Sequence, residues 1–193
     1  MFLELSKKID NSLLLNNFEA FKEDYLRFKE KGYFFDYTHN RDEVLHSPKR
    51  TDFYWQVCPL IYNRGDFPIA SNDIKNSRSV EILKKLHPLP LVATFSIMKG
   101  NSEIPPHSDH DDEIAENNQH IPHALRTTSV VKYLYALDVP SDGECAITVN
   151  DQTKILKNKD ILVFDETDTH SAYNRSNNSR GVLIISFLRH EIF

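Results

Sequence analysis

Two histidines and one carboxylate, in two separate segments, have the side-chain types of a metal site. The first segment contains His107 and Asp109, and the second contains His170, about sixty residues further on. Two imidazoles and a carboxylate can hold non-haem Fe(II) on one face and leave other positions open for oxygen and a cosubstrate. The same ligand set also suits catalytic zinc. The residue types therefore predict metal chemistry, either oxidative or hydrolytic.

The choice of carboxylate is open from the residues alone. Asp109 is followed directly by His110, Asp111 and Asp112, which offer the same ligand types. A lone histidine in an apolar strand is more often a packed residue than a ligand, so the pattern needs support from a second feature.

That second feature is Arg180, which lies ten residues after His170 at the start of an apolar segment. Burying an unpaired guanidinium is costly, so its position predicts a bound anion or an acidic partner. An arginine fork can bind one carboxylate of a dicarboxylic acid through two hydrogen bonds.

The elements that must position these residues change character along the chain. Helical periodicity is confined to the first half. One predicted helix has Asn16 or Asn17 as its N-cap and stops at Gly32, and another starts near Ser71 or Asn72 and ends before Pro88. Short strands bounded by turn residues dominate from Leu89 onward, which is typical of a sandwich or barrel. We expect one domain: a jelly-roll core over residues 89–193, with a helical and strand region over residues 1–88 packed on it. The predicted strands are 33–37, 53–62, 91–98, 129–137, 146–149, 153–156, 160–164 and 182–188.

Composition excludes several function classes. The 193 residues carry a net charge of −5, which argues against general nucleic-acid binding because phosphate backbones select basic surfaces. No apolar run reaches the ~20 residues of a membrane span, and residues 1–15 lack the pattern of a signal peptide. Cys58 and Cys145 are expected to be buried reduced thiols. The expected location is the cytoplasm.

Several motifs in the same order resemble the aspartyl/asparaginyl β-hydroxylase family. They lie at residues 95–107, 160–170 and 180–184, and the similarity runs from about Trp55 to Arg189. Residues 170–176 are also similar to free-proline hydroxylases. The resemblance implies a double-stranded β-helix (cupin-like) fold and a dioxygenase that uses Fe(II), 2-oxoglutarate and O2.

The resemblance also implies individual roles. His107 and His170 match the two iron-binding histidines of the family. Arg180 and Ser96 match residues that hold the distal carboxylate of 2-oxoglutarate. Lys132 matches a basic residue that contacts the other carboxylate, with Arg126 as the alternative.

Two departures from the family pattern matter. In the branch that hydroxylates epidermal-growth-factor-like domains, the position of Asp109 is a glycine, whereas here the carboxylate predicts a complete facial triad of His107, Asp109 and His170. The segment 110–129 is acidic and longer than in that branch. It is either a substrate-recognising lid or, more simply, a solvated charged loop.

The implied reaction is the hydroxylation of an unactivated C–H bond, with release of succinate and CO2. We expect an amino acid-like small molecule or residue as substrate, and a peptide or protein side chain as the alternative. Two further alternatives are a cupin-like metal-binding or sensor protein without turnover and a zinc hydrolase. Only the dioxygenase uses Arg180.

Overall fold

The strands of the described residues form two antiparallel sheets that pack face to face. The computed structural model describes residues 1–36, 55–63, 71–109 and 130–193. Within these ranges the strands are β1 (Phe2–Leu3), β2 (Phe35–Asp36), β3 (Trp55–Tyr62), β4 (Val92–Met98), β5 (Ser102–His107), β6 (Val130–Asp138), β7 (Cys145–Val149), β8 (Gln152–Ile155), β9 (Ile161–Asp165), β10 (His170–Asn174) and β11 (Arg180–Leu188). The helices are α1 (Asn11–Asn16), α2 (Phe18–Glu30), α3 (Asn72–Lys75), α4 (Arg78–Leu83) and α5 (Arg189–Ile192).

The order of the strands identifies the core as a double-stranded β-helix. The larger sheet has the order β1-β9-β6-β11-β4-β3-β2, and the smaller sheet has the order β5-β10-β7-β8. From β4 onward the chain crosses between the sheets at almost every step, so that β4, β6, β9 and β11 lie in the larger sheet. Strand pairing within the described ranges is antiparallel throughout. The prediction of a mainly β jelly-roll core with a helical N-terminal region is therefore confirmed.

An apolar core fills the space between the two sheets. Leu134 and Val182 of the larger sheet pack there with Ile147 and Cys145 of the smaller sheet. Because side chains alternate along a strand, Arg180 lies on the same inward face as Val182, and Gly181 lies on the outward face. Cys145 here and Cys58 on the outer side are buried free thiols, as predicted.

A second apolar core lies between the outer face of the larger sheet and the N-terminal helices. Helix α2 presents the predicted aromatic stripe to this face, and its rings meet Tyr135 and Phe95 edge-on or tilted. The helix ends where Gly32 adopts a positive φ of 69°, a conformation that glycine tolerates well. The residues of the stripe are Phe18, Phe21, Tyr25 and Phe28.

The prediction of a single helix between Ser71 and Pro88 was wrong, because this segment forms two short helices. The Ser71 side chain accepts a hydrogen bond at the start of α3, and the Ser77 side chain accepts one from Val80 at the start of α4. The first helix ends at Lys75 with Asn76 as its C-cap, and Ser77, which has extended backbone angles, caps the second. None of the helices in the described part of the chain is long and apolar enough to cross a membrane.

Candidate metal and cosubstrate site

His107 and His170 are brought together by strand pairing in the smaller sheet. His107 ends β5, His170 begins β10, and the two residues are direct partners in the antiparallel register. Their ring centroids are 4.3 Å apart. Two histidines 63 positions apart in the sequence therefore become neighbours through one backbone ladder.

Backbone carbonyls fix the orientation of both imidazole rings. Nδ1 of His107 lies 2.8 Å from the carbonyl oxygen of Pro105, and Nδ1 of His170 lies 2.8 Å from that of Asp168. A carbonyl oxygen only accepts hydrogen bonds, so Nδ1 carries the proton in each ring. The lone pair of each neutral ring is therefore on Nε2, which is the arrangement that a second partner commonly imposes on metal-binding histidines.

Asp109 closes the triad from a position just beyond β5. Its backbone N–H donates to the carbonyl of Glu166 over 3.0 Å. Its carboxylate oxygens lie 3.8 Å from Nε2 of His107 and 3.7 Å from Nε2 of His170. The potential ligand atoms of the three residues all lie within 4.8 Å of one another. This donor set fits a divalent cation of the Fe(II) type, with the other coordination positions left to small ligands.

The electrostatics keep His170 in its ligand form. Burial, assisted by the nearby Lys132 ammonium, lowers the pKa of His170 to about 4. The ring is therefore neutral at neutral pH, as metal binding requires.

Arg180 is a buried cation whose hydrogen-bonding capacity is only partly used within the described part of the chain. Its side chain is almost fully buried, and its Nε and Nη1 atoms find no hydrogen-bond acceptor among the residues that the structure describes. Burial lowers the pKa of the guanidinium to about 10, so it remains charged at neutral pH. Because such a charge is costly to leave unpaired, the site fits an anionic group such as a carboxylate.

Ser96 lies beside Arg180 on the inward face of the larger sheet. It is on β4, where its neighbour Met98 pairs with Arg180 and Ser96 itself pairs with Val182. The buried Ser96 hydroxyl oxygen accepts a 2.5 Å hydrogen bond from Nε1 of Trp55, so its own proton is available to another acceptor. The two residues predicted to hold one carboxylate thus lie on adjacent strands and the same face.

Lys132, on β6, lies next to the metal triad. Its ammonium contacts Oδ2 of Asp109 and lies 3.6 Å from Oε2 of Glu166. The alternative residue Arg126 and the acidic segment 110–129 lie outside the described residues.

Glu166 is a site residue that the sequence reasoning missed. It is buried, and it follows directly on β9, four residues before His170. An acidic residue directly after an apolar strand and shortly before a predicted ligand was the available signal.

Comparisons with known proteins place the chain in a family. The model of the aspartyl/asparaginyl β-hydroxylase family matches residues 16–190. A prolyl-4-hydroxylase from Pseudomonas putida has the same fold, with a TM-score of 0.52 and 14% identity over 91% of this chain and 88% of that chain. A cupin domain of Cnp3 from Schizosaccharomyces pombe matches with a TM-score of 0.36 and 13% identity; the match covers 51% of this chain and 56% of that one. No curated protein sequence matches significantly. Because the family model covers most of its length, the chain belongs to the aspartyl/asparaginyl β-hydroxylase family.

Proposed function

We propose that the protein is an Fe(II)- and 2-oxoglutarate-dependent dioxygenase that hydroxylates an unactivated C–H bond of an amino acid-like molecule or residue. The products are the hydroxylated substrate, succinate and CO2. One observation carries the proposal: Nε and Nη1 of the buried Arg180 guanidinium have no hydrogen-bond partner among the described residues, and Arg180 lies on the same inward sheet face as Ser96. Neither a zinc hydrolase nor a metal sensor needs this carboxylate-binding feature.

The side chains divide into two groups by task. His107, Asp109 and His170 hold the metal through Nε2 atoms and a carboxylate. Arg180 and Ser96 hold the distal carboxylate of 2-oxoglutarate, and this contact orients the reacting end of the cosubstrate toward the metal. We assign the contact with the other carboxylate to Lys132. When bound, iron and 2-oxoglutarate supply the oxidising chemistry with O2, while the protein supplies geometry and a dry pocket.

Two comparisons support the proposed substrate class. The family name describes hydroxylation of aspartyl and asparaginyl groups, and the fold neighbour is a prolyl-4-hydroxylase. Both names concern amino-acid groups, which supports an amino acid-like small molecule or residue as the substrate, with a peptide or protein side chain as the alternative.

The test is succinate release from 2-oxoglutarate, measured with Fe(II), O2 and a panel of free amino acids and short peptides. We expect release that depends on O2, rises with the right substrate, and disappears in His107→Ala. The exposed variant Glu103→Gln, on the same strand as His107, serves as the control that keeps activity. Hydrolytic turnover that survives removal of O2 would instead indicate a zinc hydrolase, and metal binding without any succinate would indicate a sensor.

A further inference from the structure

Lys132 lies between two carboxylates at the edge of the metal triad. Its ammonium contacts Oδ2 of Asp109, a predicted metal ligand, and lies 3.6 Å from Oε2 of Glu166. The three side chains are shielded from solvent, with exposed fractions of 16% for Lys132, 22% for Asp109 and 6% for Glu166. Charges in such a site interact more strongly than charges at the surface.

The backbone of Glu166 fixes this arrangement. Its N–H donates to the carbonyl of Val130, at the start of β6, over 2.9 Å, and its carbonyl accepts from the N–H of Asp109 over 3.0 Å. Glu166 therefore joins the strand that carries Lys132 to the residue that completes the triad. From this backbone position its carboxylate reaches to 3.6 Å from the Lys132 ammonium.

The net charge of this group with a bound metal depends on Glu166. Two carboxylates and one ammonium sum to one negative charge, and a divalent metal on Asp109 would change this to one positive charge. If residue 166 were neutral, Asp109, the Lys132 ammonium and the divalent metal would together carry a net charge of two positive units at a site shielded from solvent. The repulsion between metal and ammonium would then oppose metal binding.

We propose that Glu166 is a positioning residue of the metal site: its carboxylate retains the Lys132 ammonium when Asp109 binds the metal. This inference rests on the metal site of the proposed function and adds a residue to it. The ammonium then stays beside the metal, where it can meet an anionic ligand, and does not compete for Asp109. The alternative is that Glu166 is an ordinary buried ion-pair partner without influence on the metal.

The test is Co(II) binding to the metal-free protein, measured by calorimetry without any turnover. We expect Glu166→Gln to bind Co(II) about ten- to hundredfold more weakly than the wild type. Lys132→Met combined with Glu166→Gln should recover most of the lost affinity, because the double variant has the wild-type net charge again. Glu103→Gln, an exposed residue on β5, is the matched control and should bind Co(II) normally. Thermal melting of each metal-free variant reports folding separately.

Two results would overturn the inference while leaving the proposed function intact. In the first, Glu166→Gln binds Co(II) as tightly as the wild type. In the second, the double variant remains as weak as Glu166→Gln, which would mean that the lost affinity does not come from the Lys132 charge. If the wild type bound no Co(II) at all, the metal site of the proposed function would itself be wrong.

Discussion

The ring of Tyr25 lies directly against the backbone of Gly181. A Cβ atom on Gly181 would stand 2.2 Å from Cζ of Tyr25 and 2.4 Å from its hydroxyl oxygen, far inside contact distance. Tyr25 belongs to helix α2, and Gly181 follows Arg180 on β11. The glycine therefore permits the contact by which the N-terminal region packs on the strand that carries the proposed cosubstrate anchor.

Gly181→Ala is expected to destabilise the protein by about 1–3 kcal/mol, because the added methyl group overpacks a filled core. The measurement is the free energy of unfolding by chemical denaturation. In a Tyr25→Leu background the same substitution should cost less, since the clashing ring is absent. Equal costs in both backgrounds would show that the ring contact is not the cause.

Arg180→Met should weaken 2-oxoglutarate binding about ten- to hundredfold, the equivalent of losing charge-assisted hydrogen bonds of about 1.5–3 kcal/mol. The metal-free protein should not lose stability, because the variant removes a buried charge whose Nε and Nη1 atoms have no hydrogen-bond partner among the described residues. Thermal melting with Mn(II) and increasing 2-oxoglutarate measures both effects. The control is Arg175→Met, an exposed arginine that stacks on Tyr173. Unchanged stabilisation by 2-oxoglutarate in Arg180→Met would remove Arg180 from the binding site.

Trp55 should report cosubstrate binding through its fluorescence. It is the only tryptophan in the chain, and its Nε1 donates to the Ser96 hydroxyl that we place on the distal carboxylate. We expect 2-oxoglutarate to change the emission of the Mn(II)-loaded protein. Ser96→Ala should alter the starting spectrum and reduce the response at a given 2-oxoglutarate concentration. A normal response in Ser96→Ala would argue that this hydroxyl does not contact the cosubstrate.

The metal-free protein is expected to lose stability as the pH falls from about 6.5 toward about 4. Burial lowers the pKa of His170 to about 4, whereas the unfolded chain protonates the same ring near 6.5. In this window the unfolded state binds the extra proton, so the His170 contribution is complete above pH 6.5 and is lost through pH 4. The free energy of unfolding contributed by His170 falls by at most about 3 kcal/mol over this range. Denaturation curves across this range, compared with His170→Asn, provide the measurement. The variant should show a smaller loss, and parallel profiles would contradict the assignment.

Much of the fold could be predicted because the sequence pattern and the final environment agree. The aromatic stripe of α2 has helical spacing and meets one flat sheet face. The central strands of the larger sheet are buried on both faces and read as continuous apolar runs, as in β11. Strand β5 was harder to predict because it contains Pro105 and Pro106, which suggest a loop. It lies at the edge of the smaller sheet, where a strand tolerates proline.

The sequence could point to the residues of the candidate site but not to the contacts between them. Histidine, aspartate and arginine side chains carry recognisable chemistry, so the sequence pointed to His107, Asp109, His170 and Arg180. The contacts of Lys132 with Asp109 and Glu166 depend on how β6, β9 and the end of β5 converge, which no local spacing encodes. The hydrogen bonds from the His107 and His170 rings to the carbonyls of Pro105 and Asp168 likewise depend on the local backbone conformation and not on residue type.

The most direct test of the central claim is an anaerobic titration of the metal-free protein with Fe(II) and 2-oxoglutarate, followed by visible absorption. We predict a weak metal-to-ligand charge-transfer band in the wild type and its loss in both His107→Ala and His170→Ala. Arg180→Met should require more 2-oxoglutarate to reach the same band. Fe(II) binding without any band in the wild type would contradict the account, because it would show that 2-oxoglutarate does not chelate the metal held by this triad.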